Sequence, residues 1–280
     1  MITKILTLFK IARKIAQSDV INIISEFHEV PKTIKFFFYI LSFSFTVSKK
    51  LDNKNINDKE SLCNSIQEMG TTFIKLGQFL STRPDIIGNE IAKKLESLQD
   101  KLPPFPTHKA KEIIQKELGE NNYNLLLNIS EPVAAASIAQ VHKAQLNDNG
   151  TIKNIAIKIL RPNIKKIFND EIDALMLLAF LIEGTIKKTK RLKLVEVVFL
   201  LKEITNLELD LRFEGSAANE FLENTKNDAG FNVPKIFWNF TSENVLTLEW
   251  VDGISIREKE DLEKRNIDTK TLATNVIQHF

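Results

Sequence analysis

Residues 131–146 read EPVAAASIAQVHKAQL, and residues 155–162 read IAIKILRP. The first stretch reads as two short strands joined by a tight loop, and the second as a third strand ending in a lysine, Lys158. Gly150, in the NDNG of residues 147–150, supplies the hairpin turn between the second and third strands. The tight loop is made of Ala134, Ala135, Ala136 and Ser137. Alanine restricts φ where glycine does not, so this loop is expected to be stiffer than a glycine loop of the same length.

The bulk numbers set the frame for that motif. The chain has 280 residues, 43% of them hydrophobic and 26% charged, enough to bury a sizeable core in one or two domains. A net charge of +2 and the lack of any basic stripe argue against a nucleic-acid partner. Its 19 Phe, against two Tyr and two Trp, read as core filler and not as a stacking platform. The single cysteine, Cys63, excludes an internal disulfide and lies in an apolar helical pattern that predicts a buried thiol.

Upstream, MITKILTLFKIARK has Lys4, Lys10, Arg13 and Lys14 and no acid, with Ile2, Ile5, Leu6, Phe9 and Ile11 as its apolar set. It reads equally as an amphipathic helix for an anionic membrane surface and as an ordinary domain-edge helix. The apolar run FFFYILSFSFTV at 36–47 falls short of the roughly 20 residues that span a bilayer, and reads as a buried or interfacial helix. From Ser61, the residues Leu62, Ile66, Met69, Phe73, Leu76 and Leu80 alternate spacings of four and three, predicting one amphipathic helix that Pro84 ends. Further helices are expected at about 87–99 and 107–118, the first stopped by LPPFP and the second by Gly119. After the strands come helices at about 164–187 and a long one at about 192–223. Short strands at 233–237 and 245–250 follow, and a last helix starts near Asp268. The expected organisation is an apolar helical segment at 1–50, a helical extension at 51–122, a sheet-bearing lobe at 123–253 and the start of a further lobe at 254–280.

Lys158 alone is an ordinary strand-end charge. A lysine at work there needs a carboxylate to hold it, and the long helix offers Glu208, Asp210 and Glu214. On one continuous helix, Asp210 and Glu214 share a face at i, i+4 and repel each other, while Glu208 lies i, i+4 from Arg212. Such a set suits solvent, or cations brought in from elsewhere such as Lys158 and Lys75. Other chemistries fail on spacing. There is no Walker loop and no GxGxxG, and His28, His108, His142 and His279 have no metal-ligand spacing with one another or with Cys63. His142, in a strand, reads as packed or hydrogen-bonded, and Ser137 as a loop residue.

The order of these parts resembles the arrangement with which protein kinases hold the phosphates of ATP, with alanines and a serine in place of glycines. More narrowly, it resembles the N-terminal part of the UbiB family of atypical kinase-like proteins, associated with ubiquinone biosynthesis. Four elements carry the resemblance in the family's order. Lys75, Gly77 and Gln78 match its KxGQ motif; Ala134 to Ser137, with Ile138 and Val141, match its alanine-rich loop. Lys158 closes the kinase-type lysine strand, and Glu208 and Asp210 match its ExD motif. Glu214 stands where the family has its lysine-pairing glutamate.

The resemblance implies an α+β fold: a kinase-like N-lobe of antiparallel sheet plus a long αC-type helix, preceded by a helical extension. It implies that Lys158 pairs with Glu214 against ATP, that residues 134–137 cover the phosphates, and that Glu249 and Val251 lie in the hinge that receives adenine. Lys75, Gly77 and Gln78 are implied to face Glu208 and Asp210 over the site where a protein substrate would dock, favouring ATPase-type activity. ATP with Mg2+ is the implied cofactor. Membrane lipid, polyprenyl quinone precursors and other ubiquinone-biosynthesis proteins are the implied partners, at the cytoplasmic face of a bacterial inner membrane. The family's HxDxHPGN-like loop and its later DxG turn do not occur after the hinge. Asp228-Ala229-Gly230 spells DxG but precedes it. The expectation is therefore a truncated C-lobe and a chain inactive by itself.

Overall fold

A computed structural model describes residues 58–96, 98, 102–185, 187–228, 230–256 and 258–279, together with 7, 10, 11 and 13. The readings of residues 1–14 and 36–47 as surface or interfacial helices lie outside these, apart from those four positions. Contacts divide the chain into a helical unit (residues 1–103, 136–138 and 163–206) and a sheet unit (104–135, 139–162 and 207–280).

In the helical unit, α1 (Asp58–Met69) and α2 (Thr71–Ser81) replace the single amphipathic helix expected there. Gly70 breaks it with a φ of 104°, a conformation side-chain-bearing residues avoid and glycine adopts freely. The apolar seam holds only as far as Phe73: Leu62, Ile66, Met69 and Phe73 are buried, but Leu76 and Leu80 are only partly so, and Thr72, Ile74 and Gly77 complete the buried face of α2 instead. A short α3 (Pro84–Ile87) comes first, and the helix expected at 87–99 is the shorter α4 (Asn89–Leu95), with Gly88 at a φ of 84° between them. Cys63 is a buried free thiol whose Sγ lies 3.5 Å from the Lys94 carbonyl oxygen. The unit also contains α6 (Ile164–Thr185), whose Phe168, Ile172 and Ala174 are fully covered.

The sheet unit begins with α5 (Thr107–Tyr123), which was expected to end at Gly119; the chain leaves helical geometry at that residue and re-enters it for one more turn. Five antiparallel strands follow: β1 (Leu126–Leu127), β2 (Pro132–Ala135), β3 (Ala139–Asp148), β4 (Thr151–Leu160) and β5 (Val245–Glu249), with β1 and β2 both pairing with β3. The β3–β4 turn is Asn149-Gly150, both at positive φ (53° and 87°), which is the type I′ geometry that matches strand twist. Register puts Ala144 opposite Ile155, His142 opposite Ile157 and Gln140 opposite Ile159, so these six share a face. That face is buried, with Ala110 and Ile114 of α5 in its core cluster. Only Ile236 of the strand expected at 233–237 joins the sheet, by one bridge to Leu248; Pro234, lacking an N–H, cannot extend the ladder.

The expected long helix at 192–223 is two helices, α7 (Leu194–Glu208) and α8 (Leu211–Thr225). The cause is Asp210. Its carboxylate accepts the Arg212 amide and caps α8, the local side-chain bond that competes with helix continuation. Leu209 turns inward and is 3% exposed. The shared face proposed for Asp210 and Glu214 therefore does not form, and Arg212 pairs with Asp210 (2.7 Å) at i, i+2 across the cap. Two short helices, α9 (Lys259–Lys264) and α10 (Thr269–His279), end the described chain.

Candidate nucleotide site

Alternation along β4 creates the site. Ile155, Ile157 and Ile159 point into the core, so Ala156, Lys158 and Leu160 point to the opposite face. Lys158 is two residues inside the strand, not at its end as the sequence suggested. Across the sheet, Ala134 of β2, Val141 of β3, Lys158 and Leu246 of β5 stand in one register row. A bulge between Pro132 and Ala134 aligns Ala134 with Val141.

Helix α8 meets this face. Lys158 Nζ donates to both oxygens of Glu214, at 2.8 and 2.6 Å. The lysine side chain is 27% exposed and the glutamate 50%, so the pair borders solvent and contributes about 0–1 kcal/mol to stability. Its value is positional: a strand cation is held at a fixed place beside the small side chains of Ala134 and Val141. Helix α8 can come this close because residue 215 is glycine. A Cβ there would lie 3.1 Å from Leu246 Cδ1 and 3.2 Å from the Trp238 ring. The sequence reading passed over Gly215, although a glycine directly after the pairing glutamate in a helix is itself a signal of close approach.

The remaining candidates fall as follows. Ala134 and Ala135 belong to strand β2, so the loop itself is only Ala136 to Ile138, shorter than expected. Those three residues group with the helical unit, where Thr71 Oγ1 donates to the Ser137 carbonyl and Ser137 and Ile138 are buried. Lys75, Gly77 and Gln78 all lie on α2. Gly77 is a packing position, since a Cβ would meet Leu98 Cδ2 at 2.6 Å. Glu208 ends α7 and Asp210 caps α8, so the ExD motif straddles a helix break. Glu249 ends β5; its amide donates to the Lys235 carbonyl, while Val251 just beyond is 60% exposed.

The buried face of the same sheet is polar where it need not be. Gln140 and His142 are both fully buried. Gln140 Oε1 accepts the Phe105 amide (2.9 Å) and its Nε2 donates to the Phe105 carbonyl (3.2 Å), which fixes the amide's orientation. That Nε2 also donates to His142 Nε2 (2.8 Å), so the imidazole carries its hydrogen on Nδ1 and donates it to Ser130 O (2.7 Å). His142 is therefore a satisfied structural residue: it ties Ser130 to Gln140, and Gln140 fastens Phe105 to the sheet.

An antiparallel sheet with a strand lysine held bidentately by a helix glutamate defines a kinase-like small lobe. Residues 97–280 match the ABC1 atypical kinase-like domain. Among curated relatives, the probable protein kinase UbiB of Marinobacter nauticus is 36% identical over 253 residues, 90% of this chain and 45% of that protein. Those of Pseudomonas aeruginosa and Aliivibrio fischeri are 35% identical over 217 residues and 34% over 237, covering 77% and 84% of this chain and 40% and 43% of theirs. The chain belongs to the UbiB family of ABC1 atypical kinase-like proteins. It spans less than half the length of the curated relatives it matches.

Proposed function

We propose that this chain is the nucleotide-holding part of a UbiB-type atypical kinase or ATPase that serves ubiquinone (coenzyme Q) biosynthesis. The observation that carries the reading is the Lys158–Glu214 pair on the open face of the sheet, in one row with Ala134 and Val141. A lysine so held presents an ammonium to phosphate oxygens without searching rotamers, and on its β2–β3 side the row continues with Val141 and Ala134, short enough to leave room. Glu214 is engaged by that lysine, so Mg2+ enters as the nucleotide's own counter-ion and not on a carboxylate of this face. Backbone groups near Glu249 and Val251 would receive adenine. We assign to Lys75, Gly77 and Gln78 and to Glu208 and Asp210 the role the resemblance implies, restricting access of a protein substrate. The sequence has no HxDxHPGN-like loop, so the 280-residue chain by itself binds nucleotide without turning it over. Titration of a fluorescent ATP analogue with Mg2+ is expected to saturate on this chain and to weaken at least about tenfold in Lys158→Ala. Equal affinity of the two proteins would overturn the reading.

A second reading, a lipid- and nucleotide-binding module at a membrane surface, is favoured by the helical unit. Phe180 and Leu181 near the end of α6 and Phe199 on α7 are 58%, 51% and 52% exposed. Between the helices, residues 187–193 read KKTKRLK, five cations and no acid, of which Lys190, Arg191 and Lys193 are exposed. Apolar side chains beside a cationic turn suit an anionic bilayer surface, which accords with a place at the cytoplasmic face of a bacterial inner membrane. No described helix is long and apolar enough to cross a membrane. Co-sedimentation with phosphatidylglycerol vesicles but not phosphatidylcholine vesicles, abolished by Phe180→Glu with Phe199→Glu, is the expected result.

A further inference from the structure

Between β4 and α8 the sheet unit has a joint that the ion pair does not explain: the β4–β5 ladder runs on into a turn that also holds α8. Residues 242–244 form a tight turn before β5, and two elements converge on its backbone. The Glu243 carbonyl accepts the amide of Leu211, the first residue of α8, at 3.0 Å, three positions before Glu214. The Asn244 carbonyl accepts the amide of Leu160, the last residue of β4, at 3.0 Å, two positions after Lys158. The turn thus fixes the start of the helix bearing the glutamate and the end of the strand bearing the lysine.

The turn is itself held from α5. Glu117 Oε2 accepts the Ser242 hydroxyl at 2.7 Å, and Glu117 Oε1 accepts the Asn244 side-chain amide at 2.9 Å, from residues 125 and 127 positions away. Ser242 Oγ in turn accepts the amides of Asn244 (3.3 Å) and Val245 (3.2 Å). With both its acceptor sites taken, the hydroxyl has one hydrogen to give, and Glu117 receives it. Glu117 is half-buried and three residues beyond fully buried Ile114, which anchors α5 to the sheet core. Both carboxylate oxygens therefore act on one turn from a rigid base.

We propose that Glu117 is a positioning residue for the Lys158–Glu214 pair, acting through the 242–244 turn to set where α8 begins relative to β4. The part of this that concerns nucleotide affinity rests on the function proposed above; the part that concerns the ion pair does not. Charge-assisted bonds to a half-buried carboxylate are the stronger kind, and glutamine at 117 keeps the volume but offers one acceptor where two are used. Ser242→Ala removes the same link from the other side.

The test reads the pair directly and then through nucleotide. Acylation by an amine-reactive ester, quantified for each lysine by mass spectrometry, is expected to rise about fivefold at Lys158 in Glu117→Gln and in Ser242→Ala, because a loosened pair frees the amine. Lys109 and Lys153, which are paired elsewhere, are the controls and should not change. Affinity for an ATP analogue is expected to fall about fivefold in Glu117→Gln, with no further fall when Glu117→Gln is added to Glu214→Gln. A merely structural role would lower both backgrounds alike. Unchanged acylation at Lys158, a parallel rise at all three lysines, or an additive cycle would each overturn the proposal. Should the wild-type chain bind no nucleotide while Lys158 acylation still responds selectively, the proposed function fails and the positioning role stands.

Discussion

On one face of β4, Ile155, Ile157 and Ile159 are sealed under α5 beside a buried glutamine and histidine whose polar atoms are all met. On the other, one residue along, Lys158 borders solvent with its charge balanced by a single glutamate. The polar groups on the two faces do opposite work. Behind the sheet they are saturated by backbone and by each other, so they fix one packing and have nothing left to offer a ligand. In front, the ammonium is held by a partner that does not exhaust its three hydrogens, so it is placed and still able to bind.

The comparison is broken most severely from behind. Ile157→Ala should cost about 2–5 kcal/mol, because a fully covered side chain leaves a cavity in a close-packed core. It should appear as a large drop in thermal midpoint, with nucleotide affinity of the protein that remains folded close to wild type. In front, Glu214→Gln should do the reverse. The exposed pair contributes about 0–1 kcal/mol, so the melting temperature should scarcely move, while affinity for an ATP analogue falls about tenfold. If Glu214→Gln unfolds the protein, or Ile157→Ala abolishes binding in the folded fraction, the two faces are not separable.

How far the sequence disclosed this division varies with the kind of signal. The strand itself was legible in IAIKIL, with Lys158 set at its end; its two faces follow only once the isoleucines are known to be buried, because a strand's period of two then admits one assignment. The Lys158–Glu214 pair was also legible, but through resemblance; 56 residues separate the partners, and no local rule joins them. The helix around Asp210 was misread because the apolar period continues through it, whereas the capping bond that breaks it depends on one side chain turning back to its own backbone. Gly70 was missed for a related reason, since the apolar spacing from Leu62 to Leu80 runs unbroken through the sequence around it, although Leu76 and Leu80 are only partly buried beyond the break. Glu117 and the 242–244 turn left no trace that spacing could find. Their coupling is tertiary, between an exposed-looking helix acid and a polar turn.

Gly215 tests the front face with a smaller perturbation. Alanine there brings a Cβ to 3.1–3.2 Å from Leu246 and Trp238, so α8 must shift by a few tenths of an ångström or its neighbours must yield. The same change raises helix propensity by about 1 kcal/mol. These oppose each other, so Gly215→Ala should leave the melting temperature nearly unchanged while weakening the analogue about threefold, as Glu214 is carried away from Lys158. A variant that melts much lower and binds normally would mean that α8 adjusts by loosening its packing and not by moving its glutamate.

The smallest effect lies on neither face, at α10. The Asp268 carboxylate accepts the Thr271 hydroxyl and the Lys270 amide, and these bonds hold its pKa below the ordinary aspartate value. A carboxyl whose pKa is lowered by folding stabilises the folded form above its unfolded pKa of about 3.9, and the contribution fades as pH falls through the lower folded value. Asp268→Asn should therefore lower the midpoint slightly at pH 7 and make no difference near pH 2. Lys158 acylation, measured at pH 7 in the same variant, should match wild type. A change there would mean that the end of the described chain communicates with the front of the sheet, and that the separation of β4's two faces is not the only division that governs the site.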